Sequence, residues 1–301
     1  MILNQRAKGY FFAFLSVLAT SNVYIFSKAA LETTPVAVFG VYWFAMGLLW
    51  NLLYSIKTRQ LIEIKSQSKR NILILVVLGL LETGGTTFFF LAIQAIPNPA
   101  VVSFLSYFNP VFITILGTII LKDRYNYWEI LGIGLIMTGA FVISYQGGTK
   151  IESMFIHGSH YMILSALFYG VSAIIAKKSI QKISPTLLAT SRSLNLLVFS
   201  VLMVLLLKES WVISNYSFWN IFIGSILGPF LTTIAGYYAF KYLEVSRVSI
   251  LGSTKGIFVL IGAFIYFGRF PLPMQLVGGL LAITGVILIS FGKLMLKKKS
   301  T

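Results

Sequence analysis

Apolar runs of roughly 20 residues, separated by short polar segments, extend along the whole chain of 301 residues. These runs are continuous and lack the strict alternation of a half-buried strand. A bilayer core roughly 30 Å thick is crossed by about 20 apolar residues in a helix. The sequence therefore predicts ten membrane-spanning helices, at 9–28, 35–56, 71–94, 99–121, 126–146, 159–180, 185–207, 217–241, 246–268 and 273–293.

The composition supports an all-α integral membrane protein. Hydrophobic residues make up 57% of the chain and charged residues 11%, against about 25% charged residues in a typical soluble domain. We expect no cleaved signal peptide, because no small-residue cleavage site separates "MILNQRAKGY" from the first apolar run. The chain has no cysteine, which excludes disulfides, thiolate metal sites and a cysteine nucleophile.

The net charge of +16 is explained by membrane topology. With the N-terminus in the cytoplasm, 18 Lys and Arg residues fall in cytoplasmic segments, which is the expected asymmetry. Four fall in outer segments, namely Lys28, Lys150, Lys208 and Arg269. We therefore expect a multi-pass protein of a bacterial inner membrane with both termini cytoplasmic, and no nucleic-acid partner.

The two halves of the chain resemble each other in sequence. "EILGIGLIMTGAFVIS" (129–144) and "QLVGGLLAITGVILIS" (275–290) share six identical positions at a shift of 146 residues. The same shift pairs further residues in order, namely Thr86 with Thr232, Thr87 with Thr233, Ser103 with Ser249 and Phe112 with Phe258. Each half holds five predicted spans, an odd number, so the halves are inverted relative to each other. Inverted repeats are typical of secondary transporters, whose site lies near the midplane between the repeats.

The segment "FLSYFNPVFITILGTIILKDRYNYWEILGIGLIMTGAFVIS" (104–144) resembles the end of an EamA domain of the drug/metabolite transporter superfamily. The resemblance covers two units, which we place at 1–146 and 159–301, joined by an outer linker at 147–158. It implies a five-plus-five helix fold with a cavity lined by helices one to four and six to nine. The chain departs from that pattern where Gly256 replaces a proline, Arg269 replaces an acid and Asp123 replaces the commoner glutamate.

Three charged residues, Glu82, Arg192 and Lys255, fall well inside predicted spans. Each costs about 2.5 to 3.5 kcal/mol at a helix centre, so they imply ion-pair partners, a wet cavity, or both. Glu82 shares a helix face with small and polar residues, which suits a cavity wall. Two roles stay open for it: contact with a substrate or proton, or structural pairing with Arg192 or Lys255.

Lys255 corresponds in the first repeat to Asn109, so both halves carry a polar residue at the same inverted depth. Pro110, Gly252 and Gly256 are expected to weaken their helices and free backbone groups. Lys255 is expected to meet a solute, with an ion pair to Glu82 as the alternative. The predicted substrate-binding residues are Glu82, Asn109, Arg192, Lys255, Tyr107 and Asn195.

These features favour a secondary active transporter that moves a small polar metabolite by alternating access. If the three charges face one site, its net charge is about +1, which favours an amino acid or organic anion. The alternatives are an exporter of amines, neutral metabolites or drugs, and a non-transport membrane protein. A membrane enzyme would need clustered acids or histidines, and the eight acids form no paired motif.

We expect no catalytic residue, metal site, cofactor or ATP-binding P-loop. His157 and His160 are loop residues, more typical of solvated surface than of a metal site. The sequence leaves open the transport direction, coupling to a proton or counter-substrate, and whether the protein is a monomer or homodimer.

The topology predicts opposite labelling of two introduced cysteines in this cysteine-free chain. Ser66→Cys lies in the loop 57–70, which is predicted to be cytoplasmic, and Ser153→Cys lies in the outer linker. In intact cells a membrane-impermeant thiol reagent should label Ser153→Cys and leave Ser66→Cys unlabelled. Strong labelling at position 66 would overturn the assigned orientation.

Overall fold

The computed structural model describes residues 2–58, 67–121, 126–147, 155–179 and 182–299. Three predicted features lie outside these residues: part of the cytoplasmic loop with Ser66, the charged turn with Asp123, and the linker segment with Ser153. The described part is helical, with one isolated bridge between Tyr145 and Phe155. Its α-helices are α1 (Ile2–Leu31), α2 (Val36–Lys57), α3 (Lys69–Ala95), α4 (Pro99–Leu105), α5 (Phe108–Leu121), α6 (Tyr127–Ser144), α7 (Ser159–Ser179), α8 (Pro185–Leu207), α9 (Asn215–Ser225), α10 (Thr233–Tyr242), α11 (Val245–Gly252), α12 (Lys255–Phe267) and α13 (Pro273–Lys299).

The predicted all-α membrane fold is confirmed. Nine segments of the described chain are long and apolar enough to cross a bilayer, and Pro99–Ile113 forms a shorter apolar helical segment. Each predicted span coincides with one helix or with a broken helix. The fourth span comprises α4 and α5, the eighth comprises α9, the π-helical segment Ile226–Thr232 and α10, and the ninth comprises α11 and α12.

The fourth and ninth spans break at equivalent positions of the repeat. The first break lies at Ser106 and Tyr107, and the second at Ser253 and Thr254. A shift of 146 residues carries Tyr107 onto Ser253. In the first break Pro110 lacks an N–H and its ring disfavours a helical bond to the carbonyl four residues earlier. The predicted weakening of these two spans is thus confirmed.

A third interruption, in the eighth span, was not predicted from the sequence. Pro229 lies inside the π-helical segment, where a widened turn accommodates a residue without an N–H. The Asn51 amide donates a hydrogen bond to the Pro229 carbonyl at 3.0 Å. A Cβ on Gly47 would lie 2.4 Å from the Pro229 ring. A glycine and an amide on α2 therefore accommodate this kink.

Helices α6 and α13, the last of each repeat, pack together through glycines. A Cβ on Gly132 would lie 2.6 Å from the Gly285 carbonyl oxygen, and one on Gly139 would lie 2.5 Å from that of Gly278. The 146-residue shift relates Gly132 to Gly278 and Gly139 to Gly285, so the contact is symmetric between the repeats. Small residues let membrane helices approach closely enough for backbone van der Waals contact.

Gly139→Val should destabilise the protein, because the added side chain meets the backbone of α13 with no space to move. Overpacking of this kind costs about 1–3 kcal/mol. Gly134→Val on the same helix is the matched control, since nothing lies within 4 Å of a Cβ placed there. Thermal melts of the purified protein in detergent should show a lower midpoint for Gly139→Val alone. Equal midpoints would contradict the close glycine contact.

Candidate functional site

A cavity of about 380 Å³ lies between the two halves of the chain. Its size falls in the range of small-molecule sites, roughly 300–1,000 Å³. Its described wall comes from the first four and the sixth to ninth spans, as the EamA resemblance implies, and none of its lining residues lies on α6 or α13. The charged and amide residues in the wall are Glu82, Asn109, Arg192 and Lys255. We call this space the central cavity.

Glu82 and Arg192 form an ion pair inside the bundle. The Arg192 Nε lies 2.8 Å from Glu82 Oε2, and both side chains are largely buried, at 16% and 12% exposure. Arg192 Nη2 also donates to the Thr86 hydroxyl at 3.0 Å, and Ser172 donates to the other Glu82 oxygen. The pair joins α3 of the first repeat to α8 of the second, with α7 completing the network. Of the two partners predicted for Glu82, the structure selects Arg192.

Lys255 contributes a positive charge with no acidic partner. Within the described part of the chain, no carboxylate lies within 4 Å of its ammonium nitrogen. The Lys255 Nζ instead lies 5.4 Å from the centre of the Tyr107 ring and 5.9 Å from that of Tyr24. Ring faces attract cations over such distances. The alternative prediction, an ion pair between Lys255 and Glu82, is therefore wrong for this conformation.

Tyr107, which lies in the fourth span, bridges the break in the ninth span through its side-chain hydroxyl. Its buried hydroxyl donates to the Ser253 carbonyl at 2.5 Å and accepts the Gly256 N–H at 3.0 Å. Both backbone groups are left without helical partners by the break, and in a membrane such groups need partners from elsewhere in the protein. Tyr107 thus holds the start of α12, and with it Lys255, in place. Its hydroxyl contacts backbone, while the prediction had assigned Tyr107 to substrate.

The two predicted asparagines lie in different surroundings. Asn109 lines the central cavity, and its Oδ1 is buried without a hydrogen-bond donor among the described residues. Asn195 donates to the Ser191 carbonyl at 2.8 Å and packs against Gly79, where a Cβ would lie 2.4 Å from the amide. Asn195 is absent from the cavity wall. Four of the six predicted residues therefore line the central cavity, and Tyr107 lies at the helix break beside it. Asn195 instead packs in a contact between helices.

The central cavity continues towards the end of the bundle at which α1 begins, which we call the N-terminal end. A space of about 300 Å³ there shares Glu82, Asn109 and Lys255 with the central cavity. Towards the opposite end, a separate space of about 540 Å³ shares Phe44, Thr86 and Phe90 with it. The rings of Phe44 and Phe90 lie 6.2 Å apart. These two rings line both the central cavity and the space towards the opposite end.

Two polar contacts near the site were not predicted. Ser172 donates a hydrogen bond to Glu82, and nothing in its sequence context distinguishes it from other helical serines. The buried Lys28 ammonium, which the topology places in an outer segment, donates to the carbonyls of Ile93, Gln94 and Ile96. It stabilises the C-terminus of α3, where cations are favoured by the helix dipole. The end of α3 has neither a glycine cap nor a basic residue of its own. This lack could have indicated that a cation from elsewhere in the chain binds its last carbonyls.

The comparison with protein families decides the identity. A family model described as "EamA-like transporter family" matches residues 7–145 and 157–291. The chain belongs to the EamA-like transporter family. It is therefore a multi-pass membrane protein of a transporter family, and proteins of this family are generally not enzymes. The repeat boundaries proposed above, 1–146 and 159–301, stay a prediction.

Among relatives, a "Probable terminal-alkyne amino-acid exporter" of Streptantibioticus cattleyicolor (strain ATCC 35852 / DSM 46488 / JCM 4925 / NBRC 14057 / NRRL 8057) is 26% identical over 190 residues. The match covers 60% of this EamA chain and 60% of the relative's length. A solved crystal structure of another protein aligns with a TM-score of 0.71 and 14% identity, covering 96% of this chain and 99% of that one. That structural likeness shows a shared fold.

Removing one member of the Glu82–Arg192 pair should destabilise this EamA transporter. Glu82→Gln leaves the Arg192 charge largely buried without its counter-ion, which typically costs about 3–5 kcal/mol. Arg192→Met leaves Glu82 unpaired in the same way. The double variant removes both charges and should recover much of the loss, as measured by unfolding in detergent.

The exposed pair of Arg269 and Glu32 provides a matched control. Its separation is 2.9 Å, but the side chains are 40% and 34% exposed. Glu32→Gln should change the free energy of unfolding by about 1 kcal/mol or less. If the double variant of Glu82 and Arg192 is destabilised by the full sum of the two single effects, the two charges do not interact and the prediction is wrong.

Proposed function

We propose that this chain is a secondary active transporter that exports an amino acid or a related organic anion by alternating access. The observation that carries the proposal is the unpaired ammonium of Lys255 in the central cavity. We further propose that the protein lies in a bacterial inner membrane with both termini in the cytoplasm. The N-terminal end of the bundle is then the cytoplasmic end.

The charge balance of the cavity supports an anionic group on the substrate. Glu82 is neutralised by Arg192 at 2.8 Å, so the pair adds no net charge to the wall. Lys255 therefore leaves the cavity with a net charge of about +1. A carboxylate of the substrate would supply the counter-charge that the described protein does not, and charge-assisted hydrogen bonds of this kind are among the stronger ones.

The rest of the wall supports an amino acid in particular. The buried Asn109 Oδ1 is an acceptor with no donor among the described residues, and a substrate ammonium could donate to it. Aromatic residues at Tyr24, Phe89, Tyr169 and Tyr237 line the same space and suit an apolar side chain. The relative from Streptantibioticus cattleyicolor, which is described as an amino-acid exporter, supports both the substrate class and the direction.

The arrangement of the spaces supports alternating access. The central cavity shares ten lining residues, Lys255 among them, with the space at the N-terminal end. Phe44 and Phe90 line both the central cavity and the space at the opposite end, and we propose that they form the partition between these two spaces. In this conformation a solute would reach Lys255 from the proposed cytoplasmic side. Export then requires the Phe44–Phe90 partition to open while the N-terminal end closes, and the inverted repeats provide two related halves for that exchange.

Lys255→Met should weaken recognition of the carboxylate without unfolding the protein. No described carboxylate loses a partner, so the melting temperature should stay close to that of the wild type. Binding of amino acids should weaken by about ten- to a hundredfold, the equivalent of one charge-assisted hydrogen bond. Thermal-shift titrations against a panel of amino acids and organic acids would measure this, followed by transport of the best ligand in proteoliposomes.

Lys241→Met, at an exposed helix end, is the matched control and should bind and transport normally. Each amino acid that stabilises the protein should be compared with its decarboxylated amine. If the amines stabilise the wild type as well as the acids do, the substrate is an amine and the proposal is wrong. Full transport by a stable Lys255→Met protein would also contradict it.

A further inference from the structure

A small basic crevice lies at the N-terminal end of the bundle, away from the central cavity. It has a volume of about 180 Å³ and lies between the start of α3, the end of α7 and the turn that leads into α8. Its described lining consists of Arg70, Asn71, Ile74, Ile175, Lys178, Ser179 and Lys182. None of these residues lines the central cavity, so the crevice is a separate site.

The three bases of the crevice have no counter-ion in the described protein. Arg70, Lys178 and Lys182 are exposed, and no described carboxylate lies within 4 Å of any of them. No acidic residue is part of the lining. The surrounding sequence is also basic, because segments 57–71 and 177–182 together contain eight bases and one acid, Glu63.

The three bases of the crevice lie closer together than the basic residues that merely mark the cytoplasmic side of a membrane protein need to. Basic residues at cytoplasmic helix ends are expected in any membrane protein, and such residues can point separately into water. Here three of them come from two helices and a turn and line one space. Three positive groups around a volume of this size suit a single anionic group such as a phosphate.

The apolar side of the crevice indicates where that phosphate comes from. Ile74 and Ile175 are part of its wall, and the next turns of α3 expose Leu73, Val77 and Leu80. From Arg70 to Leu80 the helix rises about 15 Å at 1.5 Å per residue, which is half of a bilayer core. A lipid acyl chain can lie along this surface while its headgroup is held at the crevice.

We propose that this crevice binds the headgroup phosphate of an anionic phospholipid. Arg70, Lys178 and Lys182 contact the phosphate oxygens, and Asn71 lies beside them as a further polar group. The apolar surface of α3 below the crevice contacts the lipid tail. Basic sites between helices at the cytoplasmic surface are a known type of headgroup site, and the bilayer supplies this ligand continuously. The inference does not depend on the transported substrate.

The test measures stabilisation of the purified full-length protein in an uncharged detergent. Phosphatidylglycerol, titrated into the sample, should raise the melting temperature, and the zwitterionic phosphatidylcholine should not. The variant Arg70→Gln/Lys178→Gln/Lys182→Gln should bind phosphatidylglycerol more weakly by about fivefold per base, which corresponds to the ~1 kcal/mol that one base contributes near an anionic surface. Native mass spectrometry should show lipid retained by the wild type and lost by the variant.

A matched variant separates the crevice from general surface charge. Lys8→Gln/Lys57→Gln/Lys241→Gln removes three exposed bases that do not line the crevice, and it should respond to phosphatidylglycerol like the wild type. An equal loss in both triple variants would overturn the proposal in favour of diffuse charge. Stabilisation by inorganic phosphate alone, as strong as that by the lipid, would also overturn it, because the ligand would then be a free anion.

A single substitution keeps the test decisive if the crevice variant does not fold. Lys178→Gln alone should weaken phosphatidylglycerol binding by about fivefold, while Lys241→Gln should not. Unchanged binding by a folded Lys178→Gln protein would overturn the proposal.

Discussion

The chemistry of the central cavity depends on the ion pair between Glu82 and Arg192, which balances two of the three charges of the cavity wall. Three charges deep in the spans are costly unless they are paired or hydrated. Glu82 on α3 and Arg192 on α8 neutralise each other at 2.8 Å. Their ion pair also joins a helix of the first repeat to a helix of the second. Lys255 is then the deep charge left over, and it lies on the cavity wall, where a solute or water can solvate it.

The broken helices explain how a lysine can be held at that place. A continuous ninth helix would satisfy its own backbone and offer no fixed point for a partner. The break at Ser253 and Thr254 leaves backbone groups that Tyr107 binds, and Tyr107 itself lies in the break of the fourth span. Each repeat therefore contributes one of these two breaks, and the Tyr107 hydroxyl connects them. The position of Lys255 depends on both halves of the chain.

Much of the fold could be predicted, because membrane spans, loop charge asymmetry and the 146-residue repeat are all visible in the sequence. The breaks could be located from Pro110 and Gly252. The ion-pair partner of Glu82 could not be predicted. Spacing along the helix shows which residues share a face with Glu82, but not which of the two bases, Arg192 or Lys255, lies opposite it. Asn195 shows the same limit: it shares a face with Arg192, yet Gly79 on α3 leaves room for its amide and removes it from the cavity. Pro229 was visible, but its accommodation by Gly47 and Asn51 requires the tertiary structure.

Gly256 connects a difference between the two repeats to the chemistry of the cavity, because the 146-residue shift relates it to Pro110 of the first repeat. A proline at this position would have no N–H, and the Tyr107 hydroxyl would lose its donor there. A Cβ at the same position would lie 2.7 Å from that hydroxyl and 2.9 Å from the Phe104 ring, so any larger residue would push Tyr107 away. Glycine both supplies the N–H and admits the tyrosine ring, whose face lies 5.4 Å from the Lys255 ammonium. Glycine at the position equivalent to Pro110 thus lets an aromatic hydroxyl hold the helix break and places a π face beside the unpaired charge.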